Sequence, residues 1–123
     1  MTHFVKELVV PVSSQELNDW HLRDGAFERL CAPWDDIRHI HADPVENGSK
    51  RIFEVRKGGI PVRWVADHEN VIPGSEFTDV QTQGPFASWR HTHRFEPISE
   101  SSSRLVDDVQ YELPMGALGA AVA

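Results

Sequence analysis

The side chains of this sequence that could do chemistry concentrate between Phe77 and Phe95, in the stretch FTDVQTQGPFASWRHTHRF. Side chains of an extended strand alternate between two faces. Trp89, His91, His93 and Phe95 therefore share one face, and Ser88, Arg90, Thr92 and Arg94 share the other. The arginines mark the second face as the solvent side. The run before Gly84-Pro85 offers Phe77, Asp79 and Gln81 on one side and Thr78, Val80 and Thr82 on the other. Two alternating runs around Gly84-Pro85 make a hairpin. A face with aromatics, imidazoles and a carboxylate describes the lining of a cavity furnished with polar groups, rather than a plain apolar core.

Three kinds of chemistry fit these residues. First, a carboxylate inside a half-apolar cup is costly unless paired. Asp79 beside His91 or His93 gives a carboxylate-oriented imidazole suited to general base work near neutral pH. Asp107 is a second such carboxylate. An aldol-type cyclisation or a dehydration would need little more; the plainer alternative is a structural ion pair between strands. Second, Trp64, Phe77, Trp89, Phe95 and Tyr111 can stack on a planar or long apolar ligand, with His68 and Asp107 fixing its orientation. Third, His91 and His93 could share a metal, with His68 or Asp79 as a further ligand. Any strand with alternating histidines has that spacing, and no Cys or HExxH partner accompanies it. The sequence therefore assigns no metal ligand and no cofactor. His21 reads as a helical or satisfied core histidine, and Cys31 as a small inert hydrophobe.

The elements that position these groups follow from pattern. A Val-rich strand runs from about His3 to Val10 and is stopped by Pro11. Ser13 to Glu16 has the capping-box form, and Leu17, Trp20 and His21 fall on one helical face. Asp24 can cap a second short helix through Phe27, Leu30 and Cys31, stopped by Pro33. Turn signals then recur at Asn47-Gly48, Gly58-Gly59, Pro73-Gly74, Gly84-Pro85 and Ser99 to Ser103. Between them lie strand-like runs at Ile37 to His41, Arg51 to Arg56, Pro61 to Val71, Glu76 to Gln83, Ala87 to Phe95 and Arg104 to Leu113. Connections this short make neighbours antiparallel. Parity gathers Trp64, His68, Phe77, Asp79, Trp89, His91, His93, Phe95, Asp107 and Tyr111 on one concave face. Arg63, Arg90 and Arg94 fall on the other, where cross-strand acids can pair with them.

Bulk properties bound the function. The 123 residues make one domain, 1–123, with 40% hydrophobic and 25% charged residues. A net charge of −7 argues against nucleic acid or an anionic membrane surface as partner. One cysteine cannot make an internal disulfide. The N-terminus lacks the cationic and apolar regions of a signal peptide, and no apolar run approaches membrane-spanning length, so the expected location is the cytoplasm.

This order of elements resembles the helix-grip fold, an α+β architecture. The stretches WHLRDGAFERLCAPW, RWVADH, FTDVQTQGPFASWRHTHRF and LVDDVQYELPMGALG are similar to one branch of the START-like (SRPBCC) superfamily, which includes polyketide cyclases and lipid-binding domains. Members of that branch stand alone or precede a sugar-nucleotide epimerase-like domain. The resemblance implies a curved sheet of about six to seven strands that grips a long C-terminal helix, with an apolar ligand between them. Residues Gly116 to Ala123 supply only the opening turns of such a helix. Three functions are therefore expected: binding of a small hydrophobic or amphipathic ligand; a cyclase or dehydratase reaction using Asp79 with His91 or His93; or an open groove that takes a helix from a second copy or an attached epimerase-like domain.

Overall fold

The computed structural model describes residues 2–23, 36–57 and 59–114. Its strands are β1 (Thr2–Val10), β2 (Ile37–Ala42), β3 (Lys50–Lys57), β4 (Ile60–Ile72), β5 (Glu76–Gln83), β6 (Ser88–Ser99) and β7 (Ser102–Glu112), with helix α1 (Ser14–Leu22) after the first. The strands form one curved antiparallel sheet in the order β1-β7-β6-β5-β4-β3-β2. β2 to β7 are thus a simple meander. β1 closes the far side by pairing with β7, from Thr2 opposite Tyr111 to Val10 opposite Ser103. The expected second helix, from Asp24 to Cys31, lies outside the described residues, as do Trp34 and Gly116 to Ala123. None of the described helices is long and apolar enough to cross a membrane.

Local chemistry explains the elements. Ser13 caps α1, its Oγ accepting the Glu16 N–H at 3.2 Å. Leu17, Asn18 and His21 are the buried residues of the helix. The apolar spacing marks Trp20 for that face, but its ring is only half-buried and holds the Arg23 guanidinium 5.6 Å above it. The helix packs on β6 and β7, where Leu17 joins Phe77 and Phe95 in the core. Gly74, at φ +77°, turns the chain between β4 and β5 in the left-handed region that glycine tolerates best.

One turn and one strand end differ from the sequence expectation. Asn47-Gly48 is not the centre of a two-residue hairpin, because β2 ends at Ala42 and β3 begins at Lys50. Its loop is shaped by side chains instead. Ser49 Oγ accepts the Glu46 N–H and donates to the Glu46 carbonyl, while Asn47 Oδ1 accepts the Val71 N–H at 2.9 Å. β6 runs past Phe95 to Ser99, absorbing Pro97 through a register shift between Pro97 and Ser99.

The outer face is ionic. Arg94 pairs with Asp108 at 3.0 Å, Arg90 with Glu69, and Arg63 with Glu54 at 3.9 Å. Thr78, fully buried on that side, shares a hydrogen bond with Thr92 across the β5–β6 pair at 3.0 Å.

Phe95 is 2% exposed, packs against Phe77 with centroids 6.0 Å apart, and sits 4.9 Å from the His21 ring. Phe95→Ala should cost about 3–5 kcal/mol by leaving a cavity under α1. Urea unfolding of the variant beside the parent measures that loss directly.

Candidate functional site

The polar groups meet on the inner face of β4 to β7. Register sets His68 opposite Asp79, Asp79 opposite His91, and His93 opposite Asp107. Imidazoles and carboxylates therefore alternate across four strands. The Asp79 carboxylate is caught between two rings: Oδ2 lies 3.0 Å from His93 Nε2, and Oδ1 lies 3.1 Å from His68 Nε2. His93 Nδ1 is 3.5 Å from Asp107 Oδ1, and the same oxygen is 2.9 Å from His91 Nε2.

His68 is 1% exposed and is held from behind. Ser49 Oγ already spends its proton on the Glu46 carbonyl, so the proton in the 2.9 Å contact between Ser49 Oγ and His68 Nδ1 belongs to the ring. Nε2 of His68 is then left facing Asp79. The rings are also stacked: Phe77 on His93 at 4.4 Å and 16°, and His91 on His93 at 3.8 Å and 27°. Flat contact on both sides of His93 fixes its plane, and with it the direction of both ring nitrogens.

These charges shift one another. Burial disfavours the Asp79 carboxylate, but hydrogen bonds from His68 and His93 and their positive charge outweigh it, holding the group well below the usual carboxylate range. Asp107 is held low in the same way: burial opposes ionisation, and His91, His93 and His21 overcome it. His21 moves down, chiefly by burial and also by the nearby His93. Its Nδ1 meets the Leu17 carbonyl at 2.8 Å.

An open cleft of about 430 Å³ lies over this polar strip. Asp79, His91, His93 and Asp107 form its floor, and Phe4, Trp89, Leu105 and Val109 supply apolar walls. Lys6 and His21 complete it. Sequence reasoning gave β1 no part in the concave face, because only its pairing with β7 decides which of its sides turns inward. Once β1 is the partner of β7, alternation puts Phe4, Lys6 and Leu8 on the same side as Val109, Asp107 and Leu105, the residues they oppose. His21, read from sequence as outside the site, lines the cleft because the buried face of α1 lies on β6 and β7.

The other expected contacts sit around the cleft rather than in its lining. Trp64 stacks on Phe53 at 5.4 Å and meets Trp89 edge-on at 5.3 Å. Tyr111 lies 6.0 Å from Trp89 and 6.3 Å from Phe4. Both buttress the wall that Trp89 presents. His68, Phe77 and Phe95 lie behind the floor. There a void of about 30 Å³, room for about one water, is bordered by His68, Phe77, Asp79 and Arg51.

The direction of the two aspartate shifts fixes the acid response. A carboxylate whose folded-state affinity for protons is lowered stabilises the fold above its unfolded value of about 3.9 and loses that contribution as pH falls further. Stability should therefore drop steeply below about pH 4. Asp79→Asn should flatten that fall while lowering stability at pH 7, and urea midpoints taken from pH 7 down to pH 2 read both effects.

Comparison with known proteins bears on the fold. No protein-family profile matches the sequence, and no curated protein matches it. The structure is similar to part of a nucleoside-diphosphate sugar epimerase from Corynebacterium glutamicum, with 31% identity and a TM-score of 0.75 over 90% of this chain. This chain spans 25% of that protein's length. It is also similar to an aromatase/cyclase from a Streptomyces species, with 10% identity and a TM-score of 0.74, covering 94% of this chain and 70% of that one. A START superfamily protein from Mycobacterium smegmatis gives 14% identity and a TM-score of 0.70, covering 98% and 83%. The likeness is one of fold: this chain, a meander closed by its first strand with a helix packed on β6 and β7, has a START-like, helix-grip α+β fold.

Proposed function

We propose that this domain binds a small amphipathic molecule in the cleft between β1, β6, β7 and α1. The observation that carries this reading is the division of the cleft, which has apolar walls at Phe4, Trp89, Leu105 and Val109 above a charged floor. Its volume of about 430 Å³ falls within the range of small-molecule sites, roughly 300–1,000 Å³. An apolar body against Trp89 and Leu105 leaves the polar end of the molecule between Lys6 and His91. Lys6 has no ion-pair partner among the described residues, so an anionic or carbonyl head complements it.

A second reading is supported by one further contact. His91 is anchored through Nε2 on Asp107, with its side chain 21% exposed at the cleft. A carboxylate-oriented imidazole facing a bound ketone or thioester could remove a proton next to the carbonyl, the step that cyclisation and dehydration share. Of the two pairings open in the sequence, Asp79 lies against His93, and against His68 as well, while His91 goes with Asp107. The likeness to a quarter of a sugar epimerase supports a further role, in which the domain works beside an attached epimerase-like domain.

A fluorescent fatty-acid analogue should bind saturably at one site per chain. Trp89→Ala should weaken it about threefold to tenfold through lost ring contact. Lys6→Ala should weaken the fatty acid more than the matching alcohol. Native mass spectrometry without a bound small molecule, together with no probe uptake, would sink the binding reading. For the second reading, His91→Ala should slow turnover of a poly-β-keto or hydroxyacyl thioester by roughly 10²–10⁴-fold while the protein stays folded at the assay temperature.

A further inference from the structure

The floor of the cleft holds donors of a kind and number that an amphipathic ligand does not need. We propose that Asp79, His91 and His93 form a chelating site for a divalent transition-metal ion of the Zn²⁺ type. Each offers one ligand atom, and the three atoms lie within 4.8 Å of one another. Bonds of about 2.0–2.2 Å draw such a set closer; His93 stays fixed by its stacking on Phe77, and rotation of the His91 and Asp79 side chains supplies the difference. The set comes from β5 and β6, whose ladder holds Asp79 opposite His91 and Phe77 opposite His93. Two imidazoles and a carboxylate are borderline donors that suit Zn²⁺, Co²⁺ or Ni²⁺ over Mg²⁺ or Ca²⁺. With three protein ligands, the fourth position opens into the cleft, where Phe4 and Leu105 leave room for a water or a ligand oxygen.

The surroundings of this set have the form of an outer shell, which ion pairs alone do not require. Ligating imidazoles commonly give their second ring proton to a carboxylate, which fixes tautomer and plane. Asp107 Oδ1 is placed to receive both, 3.5 Å from His93 Nδ1 and 2.9 Å from His91 Nε2. His93 would then bind the ion through Nε2 and His91 through Nδ1. His68, braced by Ser49, orients the far oxygen of Asp79.

This site goes beyond the amphipathic-ligand reading and does not depend on it. The test uses the whole chain, stripped with EDTA and titrated with CoCl₂ and ZnCl₂. One Co²⁺ per chain should bind with visible d–d absorption of a nitrogen- and oxygen-ligated ion, and Zn²⁺ should displace it and raise Tm. His91→Gln should lower the affinity at least tenfold. Asp107→Asn should lower it about 10–100-fold, as loss of an outer-shell carboxylate does. His41→Ala, which removes the exposed His41–Asp43 pair, should change nothing. Absence of one-to-one binding to the stripped parent overturns the proposal, and so does binding that survives His91→Gln undiminished or vanishes with His41→Ala. If Asp79→Asn fails to fold, His91→Gln still decides. Uptake of the fluorescent fatty acid by the metal-free protein separates failure of this site from failure of the cleft as a binding site.

Discussion

The arrangement turns on one carboxylate held between two rings. Asp79 stands in the middle of the sheet with His68 on one side and His93 on the other, at 3.1 and 3.0 Å. Alone at that depth, the charge would be among the most expensive groups in the molecule. Paired, it ties β4, β5 and β6 together on their inner face and sets the direction of the rings that line the cleft. Removing one partner of a pair like this leaves the other uncompensated, which costs more than the pair contributes. The strip is therefore both a structural joint and a source of local electrostatic order.

That joint needs apolar support, and the aromatic residues divide the task. Phe77 and Phe95 pack with Leu17 of α1 and back the strip with apolar surface. Trp64, Phe86, Trp89 and Tyr111 form a second cluster at the other end of the sheet, mostly in edge-on or tilted contacts near 5–6 Å. The cleft lies where the two clusters stop. Its floor is polar because His91, His93, Asp79 and Asp107 occupy the positions between them.

Much of this was legible in the sequence because parity is a strong constraint. Alternation along Glu76–Gln83 and Ser88–Ser99 was enough to put Asp79, His91, His93 and Trp89 on one face, and turn residues were enough to order the meander. The START-like resemblance pointed to the same architecture. Pairing between distant strands was not legible. Nothing local to Thr2–Val10 says that it joins β7, so Phe4 and Lys6 were not assigned to the concave face. Nor does helical spacing tell which apolar residue of α1 turns inward; the sheet buries Asn18 and leaves Trp20 half-exposed. The partner of each histidine also depended on register, which the sequence left open between His91 and His93.

β1 is an edge of the sheet among the described residues, and it is apolar on both sides: Phe4 and Leu8 inward, Val5 and Val9 outward, each about half exposed. An uncovered strand margin with greasy side chains invites a neighbouring chain to add itself. Lys6 and Glu7 interrupt the apolar run at its centre and act as gatekeepers against such stacking. The lysine that faces the cleft is thus also a guard of solubility. Any evolutionary retuning of the pocket through position 6 is constrained by colloidal behaviour as well as by recognition.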